Sequence, residues 1–184
     1  MRELSLNILD IAQNSIAAGS MLTEIKVIEN TAEKTLLIGI YDNGKGMTEE
    51  QVKNVQDPFF TTRTTRKVGM GIPLFKMAAE QTGGSFKITS QVGVGTKVEA
   101  LFKTDSIDFT PLGDMASTIA TIVSMNEDKD FVYTRSIDGK EFTFKSTDIK
   151  VILDGVPLSE PSVMNWIEDY IKENTEQLLI ERNE

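Results

Sequence analysis

The sequence predicts an α+β protein: a two-layer α/β sandwich, its mixed sheet carrying the helices on one face, followed by a small α+β extension. Three observations predict it. The first hundred residues alternate helical and strand periodicity in the order α-β-β-α-loop-α-β-β. Apolar residues make up 40% of the 184 and charged residues 26%, enough to bury a core and keep it solvated. The charge balance then shifts, from 12 Lys+Arg against 11 Asp+Glu in residues 1–104 to 7 against 17 in residues 105–184. A boundary is therefore expected near Lys103–Pro111, with 1–104 as one unit and 105–184 as an acidic extension.

Each element has a local reason. From Arg2 to Ala18, Leu4, Ile8, Ile11 and Ser15 form one helical stripe and Leu9, Ala12 and Ile16 a second, and Gly19-Ser20 stops the helix. Thr23–Glu29 alternates and Thr35–Tyr41 is almost continuously apolar, so both read as strands, the second broken by Asp42-Asn43-Gly44. Thr48 before Glu49, Glu50 and Gln51 signals the capped start of a short helix to about Val55. A helix from about Ile72 to Thr82 follows an irregular Thr- and Arg-rich stretch, with Pro73 in its first turn and Gly83-Gly84 at its end. Ser85–Ser90 and Lys97–Lys103 form a hairpin.

Beyond Asp105, Asp114 caps a helix to Met125, and Phe131–Arg135 and Glu141–Lys145 flank the turn signal Asp138-Gly139. Thr147–Leu153 is a short helix. Ser159 or Ser162 is expected to cap a long terminal helix, with Val163, Trp166, Ile167, Tyr170, Ile171 and Leu178 on one side.

Absences narrow the chemistry. There are no cysteines, which excludes disulfides, thiol nucleophiles and cysteine zinc sites. There are no histidines either, so imidazole bases and a histidine phosphoacceptor within these residues are excluded. No apolar run reaches the length of a membrane span, and Glu3 and Asp10 interrupt any signal-peptide core, so a cytoplasmic location without membrane contact is expected. A net charge of −9 makes direct nucleic-acid binding unfavourable. The acidic half serves either solubility or the docking of a basic partner.

Four clusters carry chemistry. In Asp10-Ile11-Ala12-Gln13-Asn14, the acid and the amide are i and i+4 on one helix face, and Ala17 and Ala18 leave the next turn small. Alone, such a pair is ordinary solvated surface; the same spacing also suits an amide oxygen on Mg²⁺ beside a carboxylate able to orient water. Asp42-Asn43-Gly44-Lys45-Gly46-Met47 follows a core strand. It is either a plain turn or a close backbone approach to a ligand, with Asp42 accepting from an exocyclic amine. Asp57-Pro58-Phe59-Phe60-Thr61-Thr62-Arg63, with Arg66 and Lys67, is a cationic stretch suited to a phosphate lid. Gly69-Met70-Gly71 opens a helix whose N–H groups suit an anion, and Gly95-Thr96 lies on the last strand.

Together these four clusters resemble the N, G1, F and G2 boxes of the GHKL superfamily (gyrase, heat-shock chaperone, histidine kinase and MutL) over about residues 3–103. The resemblance implies the Bergerat ATP-binding fold and ATP with Mg²⁺ as cofactors. It implies that Asn14 ligates Mg²⁺, that Asp42 contacts the adenine amine with Thr96 supporting it through water, and that Gly44 and Gly46 wall the base. Ala18, Met47, Phe60, Thr61, Arg63, Arg66 and Lys67 would complete the nucleotide site, with Gly69, Met70 and Gly71 facing the phosphates.

The run GMGIPLFKMAAEQTGGSFKITSQVGVGT is similar to the histidine-kinase and anti-sigma-factor kinase branch. DIAQNSIAAGS is closer to the gyrase and MutL branch, where a Glu four residues before the Asn activates water; Asp10 holds that place. The chain starts almost on the first box, so a phosphoacceptor is expected on a separate protein in bacterial signalling. The alternatives are an ATP-hydrolysing switch with Asp10 as base, able to form a homodimer, and a nucleotide sensor without chemistry.

Overall fold

A computed structural model describes residues 3–59 and 70–183. Helix α1 (Leu4–Ala17) leads into strands β1 (Leu22–Asn30) and β2 (Thr35–Asp42), then the short helix α2 (Glu49–Val55). Helix α3 (Gly71–Gln81) precedes the hairpin β3 (Ser85–Gln91) and β4 (Gly95–Lys103). The second half adds α4 (Met115–Met125), β5 (Asp130–Ile137), β6 (Lys140–Lys145), α5 (Ser146–Leu153) and α6 (Pro161–Arg182). Among the described residues no helix is long and apolar enough to cross a membrane.

All six strands form one mixed sheet in the order β3-β4-β2-β1-β5-β6. Strand β1 pairs antiparallel with β2, Ile25 facing Ile40, and parallel with β5, Ile25 facing Tyr133. The change in charge balance near residue 104 is therefore not a break in the sheet. The second half extends the sheet along the free edge of β1. It also satisfies α1, whose Leu4 and Ser5 N–H groups donate to the carbonyls of Pro111 and Leu112 at 2.9 and 2.8 Å.

The core lies between the sheet and α1, α3, α4 and α6, with Ile8, Ile25, Ile38, Phe75, Phe102, Ile119, Tyr133 and Ile167 almost wholly buried. The opposite face is polar. Tyr41 there donates to Glu99 at 3.2 Å under the ammonium of Lys26, and burial together with Glu99 and Glu24 pushes its phenol up to about 12.

Local signals hold where expected. Thr48 forms a complete capping box with Gln51, Asp114 accepts from the Ser117 N–H at 2.9 Å, and Asp138 and Gly139 both take positive φ in the β5–β6 turn. Two expectations for α6 are corrected. Glu160 is the N-cap and makes no side-chain cap, with Pro161 starting the helix; Ser159 instead donates its N–H to Glu127. Trp166 faces outward, stacked on Tyr170 with ring centroids 5.0 Å apart, while Val163, Ile167, Ile171 and Leu178 form the buried side.

Candidate functional site

The C-terminal half of α1, the end of β2 and the loop after it enclose a cavity of about 270 Å³. Helix α1 must turn sharply to bring β1 back beside β2. Gly19 takes φ 77° after the Ala18 cap, and the Ser20 N–H closes the end on the Ser15 carbonyl at 3.1 Å. The exit of β2 is then pinned to the start of β1, because the Asn43 side-chain oxygen accepts from the N–H groups of Met21 and Leu22 and from the Ser20 hydroxyl.

Asp42 sits at that exit, partly buried, and both carboxylate oxygens are engaged. Ser15 donates to Oδ2 at 2.7 Å, and the Gly44 N–H donates to Oδ1 at 2.9 Å. Each oxygen keeps acceptor capacity, so the carboxylate is fixed in direction without being consumed. Thr96 faces Asp42 across the β2–β4 ladder and lines the same cavity.

The Gly44–Met47 loop is tied on two sides. Lys45 N–H donates to the Ala18 carbonyl at 2.9 Å, and its carbonyl accepts from the Gly93 N–H at 2.7 Å. Met47 N–H donates to Ser90 Oγ, which lies 2.8 Å from Thr96 Oγ1. Gly46 has φ 71°, and a Cβ there would collide with the Gln91 carbonyl, so only glycine allows the loop to lie against the β3–β4 hairpin. Gly44 fits against Ala18 and Asp42 behind the cavity wall.

Asn14, Ala18, Asp42, Gly46, Met47 and Thr96 thus converge on one cavity. The Asn14 side chain lines the cavity and makes no hydrogen bond to another described residue. Asp10 lies one turn earlier and lines no part of the cavity. It meets the start of α3 instead, where a Cβ on Gly71 would lie 3.1 Å from Asp10 Cβ, and burial raises its carboxyl above the ordinary range. Met70 is the exposed N-cap of α3 and makes no side-chain cap. Phe60, Thr61, Arg63, Arg66, Lys67 and Gly69 lie outside the described residues.

Sequence reasoning missed the rest of the wall. Ile11, Val55, Ile72 and Val98 supply its apolar surface, Lys45 reaches it from the loop, and Ser15 orients Asp42. The signal for Ser15 was a hydroxyl in a stripe otherwise made of Leu and Ile.

The family model for histidine kinase-, DNA gyrase B-, and HSP90-like ATPases matches residues 1–106, more than half of the chain. The chain belongs to this ATPase family. Its relatives include the autoinducer 2 sensor kinase/phosphatase LuxQ of Vibrio cholerae, 27% identical over 104 residues, covering 54% of this chain and 12% of that one. Sporulation kinase E of Bacillus subtilis is 30% identical over 97 residues, with 52% and 13% covered. Sensor protein KdpD of Clostridium acetobutylicum is 32% identical over 108 residues, with 56% and 11% covered. The chain thus spans less than a fifth of the length of these relatives.

Among solved structures, the MutL ATPase domain of Aquifex aeolicus, complexed with ADP, shares the fold with a TM-score of 0.50 at 14% identity. That match covers 84% of this chain and 70% of the MutL chain. The fold likeness therefore extends beyond residue 106, into the half outside the family model.

Proposed function

We propose that the chain binds Mg·ATP in the Asp42 cavity and passes the γ-phosphoryl group to a separate protein. The observation that carries this reading is Asp42, a carboxylate held by Ser15 and the Gly44 N–H on the wall of a largely apolar cavity that Asn14 also lines. An apolar slot with one oriented acceptor suits a purine bearing an exocyclic amine. Asn14 is a neutral oxygen donor suited to Mg²⁺ among phosphates, and the ion would supply charge neutralisation there. The residues do the rest: Ile11, Ile72 and Val98 exclude water from the base, Gly46 and Met47 shape the loop beside it, and the basic stretch Arg63, Arg66 and Lys67 would cover the phosphates.

Phosphoryl transfer needs positioning and charge stabilisation more than covalent chemistry from the protein. Kinase activity is in keeping with the relatives, whose names are those of sensor and sporulation kinases. With no histidine in these 184 residues, any phosphoimidazole would form outside them, and Ser or Thr of the partner are equally open as acceptors.

A second reading, hydrolysis with Asp10 as base, is favoured by the placement of that carboxyl against Gly71 at the start of α3. Incubation with γ-labelled ATP, alone and with lysate of the native cell, separates the two. Label on another protein supports transfer; rapid release of phosphate by the pure protein supports hydrolysis. Tight ATP binding with neither outcome would leave a nucleotide sensor.

A further inference from the structure

We propose that a second copy of this chain pairs with the outer edge of β6, antiparallel, about a two-fold axis through Thr143. This pairing uses no residue of the Asp42 cavity and is independent of the function proposed above.

Strand β6 ends the sheet, and among the described residues no strand pairs with its outer side. Which of its backbone groups stay open follows from the hairpin. Asp138 and Gly139 both have positive φ, so the two-residue turn closes with the Lys140 N–H on the Ile137 carbonyl. Backbone groups alternate in direction along an antiparallel strand, so those of Lys140, Phe142 and Phe144 are spent on β5. Strand β5 agrees: the Asp130 and Asp138 N–H groups turn to the Met21 and Glu29 carbonyls on the β1 side, while the Phe131 N–H turns to Ser146. Glu141, Thr143 and Lys145 therefore point their N–H and C=O groups outward, a template for one more strand.

Edge strands are commonly guarded by lysine, and β6 carries an exposed lysine at each end, Lys140 and Lys145. Self-pairing about Thr143 answers that guard. With Thr143 facing its counterpart, Glu141 of each copy faces Lys145 of the other, and Phe142 faces Phe144. Lys140 comes to lie opposite Ser146, where the strand gives way to α5. Every residue with outward backbone groups then meets another, and each facing pair exchanges two main-chain bonds. Other registers fit less well. Axes at Glu141 or Lys145 set like charges face to face, and axes at Phe142 or Phe144 leave both charges facing neutral residues. Glu141 and Lys145 are exposed and have no ion-pair partner among the described residues, so neither must leave one to pair.

The helix side of the same edge is aromatic. Phe142 meets Tyr170 edge-on with ring centroids 5.5 Å apart, and Trp166, stacked on Tyr170, is 47% exposed. Pairing Phe142 with Phe144 brings two such rows to one seam. Asp169 and Glu173, exposed on α6, oppose association with like charge from both copies, so the dimer is expected to be reversible.

The test is sedimentation equilibrium of the chain without nucleotide, over about 1 μM to 1 mM, the range of weak to moderate association. A monomer–dimer equilibrium is expected. Glu141→Lys sets lysine against lysine at both ends of the ladder and should raise the dimer dissociation constant about tenfold. Lys145→Glu should do the same, with glutamate against glutamate. The double variant Glu141→Lys/Lys145→Glu restores opposite charges and should recover the parent constant. Glu141→Lys also makes each copy less acidic, so relief of general repulsion would strengthen a dimer formed elsewhere, whereas the facing pairs weaken this one. Both positions are exposed, and circular dichroism checks that each variant is folded. A chain that stays monomeric throughout overturns the proposal. So does a dimer that Glu141→Lys leaves unchanged or strengthens, or a double variant no tighter than the single ones.

Discussion

Replacing Asp42 by Asn tests base recognition with little disturbance of the fold. The variant amide keeps its carbonyl oxygen for the Gly44 N–H, now 2.9 Å away, but turns an NH₂ toward Ser15 in place of Oδ2. Ser15 can reverse its role and accept, sending its own proton to the Ile11 carbonyl, already 3.4 Å from its oxygen. The protein should therefore stay folded with a small loss of stability. The ligand loses more. A hydrogen bond to an ionised acceptor contributes roughly 1.5–3 kcal/mol, about 10- to 150-fold in affinity. ATP binding should weaken by that factor in Asp42→Asn. In the unaltered protein GTP should bind far more weakly than ATP, because guanine presents an oxygen where adenine presents an amine, and two acceptors would then face each other. Calorimetry with ATP and GTP on both proteins measures all four affinities. Equal affinity for the two nucleotides in the unaltered protein would refute the reasoning, as would ATP binding untouched by the substitution.

Asn14→Ala keeps the helix, since Ala has the higher propensity, and should abolish the Mg²⁺ dependence of ATP binding; calorimetry with and without Mg²⁺ would show it. Any hydrolysis should fall by about 10²–10⁴-fold in Asp10→Asn while ATP affinity holds, because a base contributes to rate and not to binding. Its pH profile is also fixed in direction. Burial raises the Asp10 carboxyl above the ordinary aspartate range, so hydrolysis should rise with pH through a point above that range. The same shift means that ionised Asp10 weakens the fold and that protonation, as pH falls through the raised pKa, restores stability; chemical denaturation should therefore find Asp10→Asn no less stable than the parent at neutral pH. Gly46→Ala combines a left-handed φ, unfavourable by about 1–2 kcal/mol for an L-residue, with a collision against the Gln91 carbonyl, and should lower both thermal stability and ATP affinity.

Most elements were legible because their signals are local. Thr48 and Asp114 cap within three residues of themselves, the Asp138-Gly139 turn needs only its own two positive φ values, and the alternation of Thr23–Glu29 is its own evidence for a half-buried strand. The site was legible in the same measure. Asn14 and Ala18 share a helix face by spacing, and Asp42 ends an apolar strand, so each could be named without knowing what it meets. What each meets was not legible. Ser15 and Asp42 stand 27 positions apart, and a serine inside a Leu/Ile stripe reads as a tolerated polar residue until its partner is seen. The cap of α6 failed for a matter of register: Ser159 had the right chemistry, but Pro161 starts the helix, which puts Glu160 and not Ser159 at the N-cap.

Long-range pairing explains the second half as well. Arg135 looks like a surface residue on an alternating strand, yet it is buried, because β5 lies parallel to β1 and delivers it to Glu29, 106 positions earlier. That pairing also bears on the Asp42 cavity. Strand β1 is flanked by β2 on one side and β5 on the other, so the sheet that carries Asp42 has its open edges at β3 and β6. The N-terminus of α1, the helix that carries Asn14 and Ser15, is bonded to the carbonyls of Pro111 and Leu112. Residues from beyond the family model thus hold the far end of the helix that builds the cavity. A perturbation at the start of α4 has a short covalent and hydrogen-bonded route to Asn14, through Asp114, Leu112 and three turns of α1.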